Sequence, residues 1–285
     1  MPLSKFDPWR SSLCTCPYKL TFNPYTGCDH QCVYCYASSY IPNFYAIKPK
    51  KDIIRRLERA SLKLEGQIVS MCNSSDPYPA LEEKLGLTRK CLQILRGRNC
   101  KIQIITKSDL VTRDIDILKR SQSIVAMTVT TLDEDLSKRL EPKAPTPTQR
   151  IKALEMLAKE RIPTSARIDP IIPFLNDDPN ELIETLGSIG VKHITSSTYK
   201  VKPDNWKRFE IAFPEIAKRL KPIYERGEKT SGYLYLPREL RYALMKDIKQ
   251  LAEQNRMSFG VCREGFAELN SAVCDGSALY GTKAG

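Results

Sequence analysis

The sequence predicts an α/β protein, a partial (β/α)6 barrel of the TIM type followed by a C-terminal helical extension. Three observations carry this reading. Six β-prone runs alternate with helical runs between residues 19 and 198, which argues a parallel sheet with helices outside it. Six such units are too few to close an eight-stranded barrel. Polar residues also recur at the predicted C-terminal strand ends: Asn73 to Asp76, Thr106 to Ser108, Thr130 with Thr131, and Asp169. In parallel α/β folds that edge is where active sites assemble.

The elements follow in order. Residues 19–23 alternate and are β-prone, and Pro24 ends the strand before a long cysteine-bearing loop. Residues 50–64 place Ile53, Ile54, Leu57 and Leu64 at helical spacing. Gly66 breaks that helix, and residues 67–72 read as a strand. Residues 87–95 are helical, with Leu87, Cys91, Ile94 and Leu95 on one face, and 101–106 form the next strand. A helix over 112–120 has Ser108 or Thr112 as its cap. Strand 123–130, helix 148–159, strand 163–172, helix 180–189 and strand 191–197 complete the alternation. Beyond it, 203–226 reads as one long basic helix, 237–254 as another, and 258–261 as a short strand leading to Cys262. The expected organisation is an N-terminal segment (1–18), the barrel (19–200) and an extension (201–285).

The chain has 285 residues, of which 41% are hydrophobic and 27% charged, enough apolar residues for a real core. It has no apolar run long enough for a membrane span, and residues 1–13 lack the apolar stretch of a secretory signal, so a cytoplasmic location is expected. The net charge is +12 and unevenly spread. Residues 1–130 hold 20 basic and 11 acidic residues (20 − 11 = +9), against 25 and 22 in residues 131–285 (25 − 22 = +3). The excess suits a polyanionic partner, DNA or RNA. Residues 199–209 interleave aromatics with cations, a pattern that can grip phosphates and stack on bases, or else form the solvated face of a helix.

Ten cysteines in a chain of this kind point to metal or redox chemistry more than to disulfides. Cys28, Cys32 and Cys35 have the spacing C-x3-C-x2-C in the loop after the first strand. Thiolates are the usual protein ligands of iron–sulfur clusters. Three cysteines on a four-iron cubane leave one iron open to an outside ligand, which points to chemistry. A zinc knuckle or a cluster used only for electron transfer is the alternative.

This spacing, Tyr36 directly after the third cysteine, and the place after the first strand resemble the radical S-adenosylmethionine (SAM) superfamily. Further segments resemble its spore photoproduct lyase-like family: Asn23 to Cys28, Tyr34 to Tyr36, Thr106 to Ser108 with Arg113 to Asp116, and Arg139 to Pro142. The resemblance covers about residues 18–200. It implies a barrel of the radical SAM type and a 4Fe–4S cluster on Cys28, Cys32 and Cys35. It implies SAM on the fourth iron, cleaved reductively to a 5′-deoxyadenosyl radical with electrons from a donor such as ferredoxin or flavodoxin. It also implies DNA repair by reversal of a thymine dimer, with a strand-end cysteine returning a hydrogen atom and flanking tyrosines relaying the radical. Cys72, Tyr34 and Tyr36 stand at the matching places; Cys72 is equally a residue that fills a strand. Radical modification of RNA, a peptide or a small molecule is the alternative within the superfamily. A nucleic-acid-binding protein with a structural metal is the alternative outside it.

By position, Tyr34 is the candidate for the adenine end of SAM. Ser74 and Lys107 are candidates for its carboxylate, which needs donors or a cation. Thr130 is the candidate for the ribose or amino end, and Arg167 for SAM or a phosphate. Each of these residue types also serves as a cap, a turn residue or an ion-pair partner. Cys14, Cys16, Cys262 and Cys274 make four thiols, enough for a closed zinc site or a second iron–sulfur cluster if the termini meet. The alternative is four unrelated thiols. Cys91 and Cys100 read as packing residues, His30 as a loop-shaping hydrogen bonder, and His193 as structural.

Overall fold

The structure, a computed structural model, describes residues 2–6 and 11–281. In chain order its strands are β1 (Ser4–Lys5), β2 (Leu20–Phe22), β3 (Tyr25–Thr26), β4 (Lys48–Pro49), β5 (Ile68–Met71) and β6 (Lys101–Thr106). There follow β7 (Ser123–Thr128), β8 (Thr164–Ile171), β9 (His193–Thr198), β10 (Glu228–Thr230), β11 (Tyr233–Tyr235) and β12 (Ser258–Val261). Eight of these form one sheet in the order β1-β2-β5-β6-β7-β8-β9-β12. Every pairing from β2 to β12 is parallel, and β1 lies antiparallel on the β2 edge. The six strands expected from periodicity are β2 and β5 to β9.

Parallel strands need crossovers, and the helices that supply them cover the sheet. Helices Ile53–Ser61, Leu87–Arg96, Pro147–Lys159 and Asn180–Ser188 lie where the apolar spacing put them. Thr146 and Gln149 cap the third of these reciprocally. Ser108 is the cap chosen after β6, accepting from the Leu110 N–H at 3.3 Å. Ile104, Val125, Met127, Ala166, Ile168 and Ile194 are fully buried in the barrel core.

Three expectations changed. The basic segment 203–226 is two helices, Pro203–Ala212 and Pro214–Glu225. Proline disfavours a helical conformation in the residue before it, and Phe213 sits at φ −139°, ψ 62°. The cations and aromatics of 199–209 are not a base-stacking surface either. Phe209 is buried, Trp206 packs edge-on against Tyr224, and Lys200 pairs with Glu264 at 3.0 Å. The 112–120 helix begins as a tight 3-10 turn, Asp109–Asp114, and continues as Ile115–Leu118.

The C-terminal part returns to the barrel. Helix Arg238–Gln254 packs on β9 and β12 as a crossover, and β12 adds a seventh parallel strand beside β9. The tail then turns inside. Lys19 Nζ meets Asp275 Oδ2 at 2.7 Å, Gln103 Nε2 donates to the Asp275 carbonyl at 2.7 Å, and Thr195 Oγ1 donates to the Cys274 carbonyl at 2.7 Å. Gln103 and Thr195 lie in the first halves of their strands, so the tail fills the N-terminal end of the barrel. Lys19, beside β2, and Asp275, beyond β12, tie together the two sides of an open sheet.

Candidate active site in a thiol-lined cavity

The cysteine loop hangs from the end of β2 and is held by backbone contacts. Gly27 has φ +87°, and a Cβ there would stand 2.3 Å from the Phe44 carbonyl oxygen, so a side chain is excluded. The next residue, Cys28, donates its N–H to that oxygen at 2.9 Å. Val33 donates to the Leu140 carbonyl at 2.9 Å, and Lys143 donates to the His30 carbonyl at 3.1 Å. Helix Pro203–Ala212 braces the far side: Asn205 Nδ2 donates to the Tyr34 carbonyl at 3.0 Å and an Arg208 Nη to the Cys35 carbonyl at 2.6 Å.

Cys28, Cys32 and Cys35 line one cavity with Cys72, Ser74, Lys107, Tyr34, Tyr36, Arg167, and the four terminal cysteines. The cavity opens to solvent at its mouth. Burial pushes the Cys32 thiol up to about 12 and Cys28 well above its ordinary value. Bare thiolates are therefore disfavoured here, and a positively charged metal group is the natural compensation.

One wall carries a buried ionic group. Tyr34 O–H donates to Glu141, Arg150 pairs with Glu141 at 2.5 Å, and Lys107 Nζ stands 3.8 Å from Glu141 and 5.6 Å from the Tyr34 ring centre. Burial favours a neutral Glu141, but Arg150 and Lys107 outweigh it and hold the carboxyl below its ordinary range. Asp76 shapes the neighbouring strand ends, accepting from Thr106 Oγ1 and the Lys107 N–H, both at 2.7 Å.

The expected residues divide as follows. Cys72 lines the cavity at the end of β5, 2% exposed, with φ +63°. A non-glycine residue held there carries backbone strain, a feature that clusters at functional sites. Tyr36 lines the cavity edge-on to Tyr233 at 5.5 Å, with Arg263 over its ring at 5.9 Å. Ser74 and Lys107 both reach the cavity. Arg167 does too, but its guanidinium is paired with Asp169 at 2.6 Å. Tyr34 has its hydroxyl committed to Glu141, which leaves only the ring for a ligand. Thr130 is displaced: β7 ends at Thr128, Asn176 Nδ2 holds the Thr130 carbonyl at 2.8 Å, and Thr130 lines a separate pocket. Thr128 takes its place in the main cavity.

Sequence reasoning missed Glu141 with Arg150, Asp76 as a brace, and Lys19 with Asp275. Glu141 stood in plain view as part of the Arg139 to Pro142 segment; its partner Arg150 looked like an ordinary surface cation of a helix. Cys91 packs in the main apolar core as expected, and His193 is buried against Ser258 and the Cys274 carbonyl. His30 is buried with Nδ1 3.7 Å from Asp76.

Three thiols on one loop, with a cation beside them and no fourth cysteine in the loop, fit a cluster that keeps one iron open. Among the described residues, no three His, Cys, Asp or Glu side chains meet tightly enough to hold a single metal ion.

The family model of the radical SAM superfamily matches residues 22–187. An uncharacterized protein of Methanocaldococcus jannaschii is 35% identical over 167 residues, 56% of this chain and 62% of that one. The match thus spans less than two thirds of that relative. An uncharacterized protein of Mycobacterium tuberculosis H37Rv is 24% identical over 264 residues, 85% of this chain and 76% of that one. Among solved structures, a spore photoproduct lyase mutant superposes with a TM-score of 0.69 at 14% identity, covering 91% of this chain and 78% of the other. Streptococcus suis SuiB bound to S-adenosylmethionine gives 0.57 at 17% identity, covering 90% and 55%. At those identities the likeness is one of fold.

Proposed function

The chain belongs to the radical SAM superfamily, and on that premise we propose that it carries a 4Fe–4S cluster on Cys28, Cys32 and Cys35 and reverses thymine dimers in DNA. The observation that carries the reading is a single cavity, at the C-terminal edge of a parallel sheet, lined by those three thiols, Lys107 and Cys72. When bound and reduced by a ferredoxin or flavodoxin, the cluster with SAM supplies a 5′-deoxyadenosyl radical that takes a hydrogen atom from substrate.

The chain's own residues do the rest. Lys107, held by Glu141, offers its ammonium to the carboxylate of SAM, and Ser74 offers a hydroxyl. The Tyr34 ring packs on the adenine side. The Cys72 thiol, kept protonated by burial, retains a hydrogen atom to return to a substrate radical. Tyr36, next to Cys35 and edge-on to Tyr233, is the relay candidate. Exposed Tyr40 and Tyr45 follow the cluster loop and precede Lys48, Lys50 and Lys51 in sequence; aromatics interleaved with cations suit single-stranded or flipped bases. Free thiols and an iron–sulfur cluster suit a reducing cytoplasm.

Anaerobic reconstitution with iron and sulfide, followed by dithionite and SAM, tests the chemistry. 5′-Deoxyadenosine is expected, and its absence from iron-loaded protein overturns the reading. A dimer-containing oligonucleotide tests the substrate. Salt-sensitive binding and conversion to thymines are expected. No DNA binding at low salt, with SAM cleavage intact, moves the substrate to a peptide or small molecule.

A further inference from the structure

We propose that Cys14, Cys16, Cys262 and Cys274 form a second metal centre, a four-thiolate iron–sulfur cluster facing the same cavity as the cysteine loop. It rests on its own geometry and not on the substrate reading. Cys16 and Cys274 are 258 positions apart, yet their sulfurs are 3.7 Å from each other. All four thiols line the cavity wall. None of the four is in a disulfide.

Packing does not account for them. Cys91 belongs to the main apolar core and Cys100 packs against it, whereas Cys14, Cys16, Cys262 and Cys274 join none of the apolar clusters. Cys274 does so although it is 2% exposed. The chain also fixes that cysteine with unusual care. A Cβ on Gly260 would stand 2.4 Å from the Cys274 Cα, so only glycine in β12 admits the backbone there. The loop leading to Cys274 is pinned to β12: Ser271 Oγ accepts from the Phe259 N–H at 2.9 Å and Asn270 Oδ1 from the Val261 N–H at 2.7 Å. Thr195 and the Lys19–Asp275 pair hold the far side.

A cluster with four thiolates is anionic overall; Lys19 and Arg167 line the same wall, each sharing its charge with a carboxylate, Asp275 and Asp169. Iron–sulfur is favoured over zinc because the four thiols share one cavity with a loop whose three thiols already suit an iron–sulfur cluster. With four protein ligands the centre is closed. It leaves no iron for SAM, so its chemistry differs from that of the three-cysteine loop.

The test counts iron and sulfide after anaerobic reconstitution. Wild type should hold about eight irons and the triple variant C28A/C32A/C35A about four, with matching sulfide and a thiolate-to-iron absorption band. The quadruple variant C14A/C16A/C262A/C274A should hold about four and still cleave SAM. A folded triple variant that retains no iron overturns the second centre, whether or not the quadruple variant folds. So does zinc in place of iron, or a Cys16–Cys274 disulfide in protein prepared without oxygen. Iron lost from the quadruple variant but kept in the triple one would instead strike at the cluster assigned under the proposed function.

Discussion

The molecule has two cysteine-bearing regions built on opposite plans. In the loop after β2, three cysteines fall within eight residues, from Cys28 to Cys35, and their spacing is a property of the chain itself. At the other region, Cys16 meets Cys274, with Cys14 and Cys262 on the same cavity wall, only because β2 and β12 belong to one sheet and the tail folds beneath it. Both depend on a glycine that lets backbone approach backbone: a Cβ on Gly27 would stand 2.3 Å from the Phe44 carbonyl oxygen, and one on Gly260 2.4 Å from the Cys274 Cα. A local motif carries its geometry with it. A distributed one exists only after the tertiary structure does.

That contrast can be broken at either end. The largest effect should come from the local set: Cys28→Ala, Cys32→Ala or Cys35→Ala should each reduce 5′-deoxyadenosine formation to background, with the circular dichroism unchanged. Next is Lys19→Met, which leaves Asp275 buried without its cation. Breaking a buried pair on one side costs about 3–5 kcal/mol, seen as a lower denaturation midpoint and protease cleavage after residue 262. If the two regions are independent, iron bound by the cysteine loop survives; its loss would show that the tail also supports the loop.

The glycines sharpen the comparison further. Gly27→Ala and Gly260→Ala should each cost about 1–3 kcal/mol, the first depleting iron at the loop and the second at the terminal thiols. An equal loss at both sites in either variant would erase the distinction. The smallest stability effect belongs to Cys72→Ala, about 1 kcal/mol. It should leave SAM cleavage intact while repaired product gives way to side products, read by following deuterium from substrate. An unchanged product would return Cys72 to the strand as filler.

Much of the fold was legible because periodicity is a local signal. Six strands, their crossover helices and the strand at 258–261 appear within a few residues of the spacing that announced them. The failures are those of a one-dimensional reading. Pro214 split a helix that composition made look continuous. Trp206 and Phe209, set among cations, turned inward because Tyr199 and Tyr224 offered them an apolar surface. Thr130 lost its place because β7 stops at Thr128 and Asn176 holds the chain beyond it.

What the sequence alone determined is the three-cysteine loop, its place after the first strand and the parallel α/β alternation, since each is written in near-neighbour spacing. The tertiary structure alone decided that β12 joins the barrel, that Glu141 joins Arg150, Lys107 and Tyr34, and that Cys16 touches Cys274. The reason is physical: buried charges and thiols take their partners from whatever the folded sheet brings within a few ångströms, and no spacing along the chain encodes that distance.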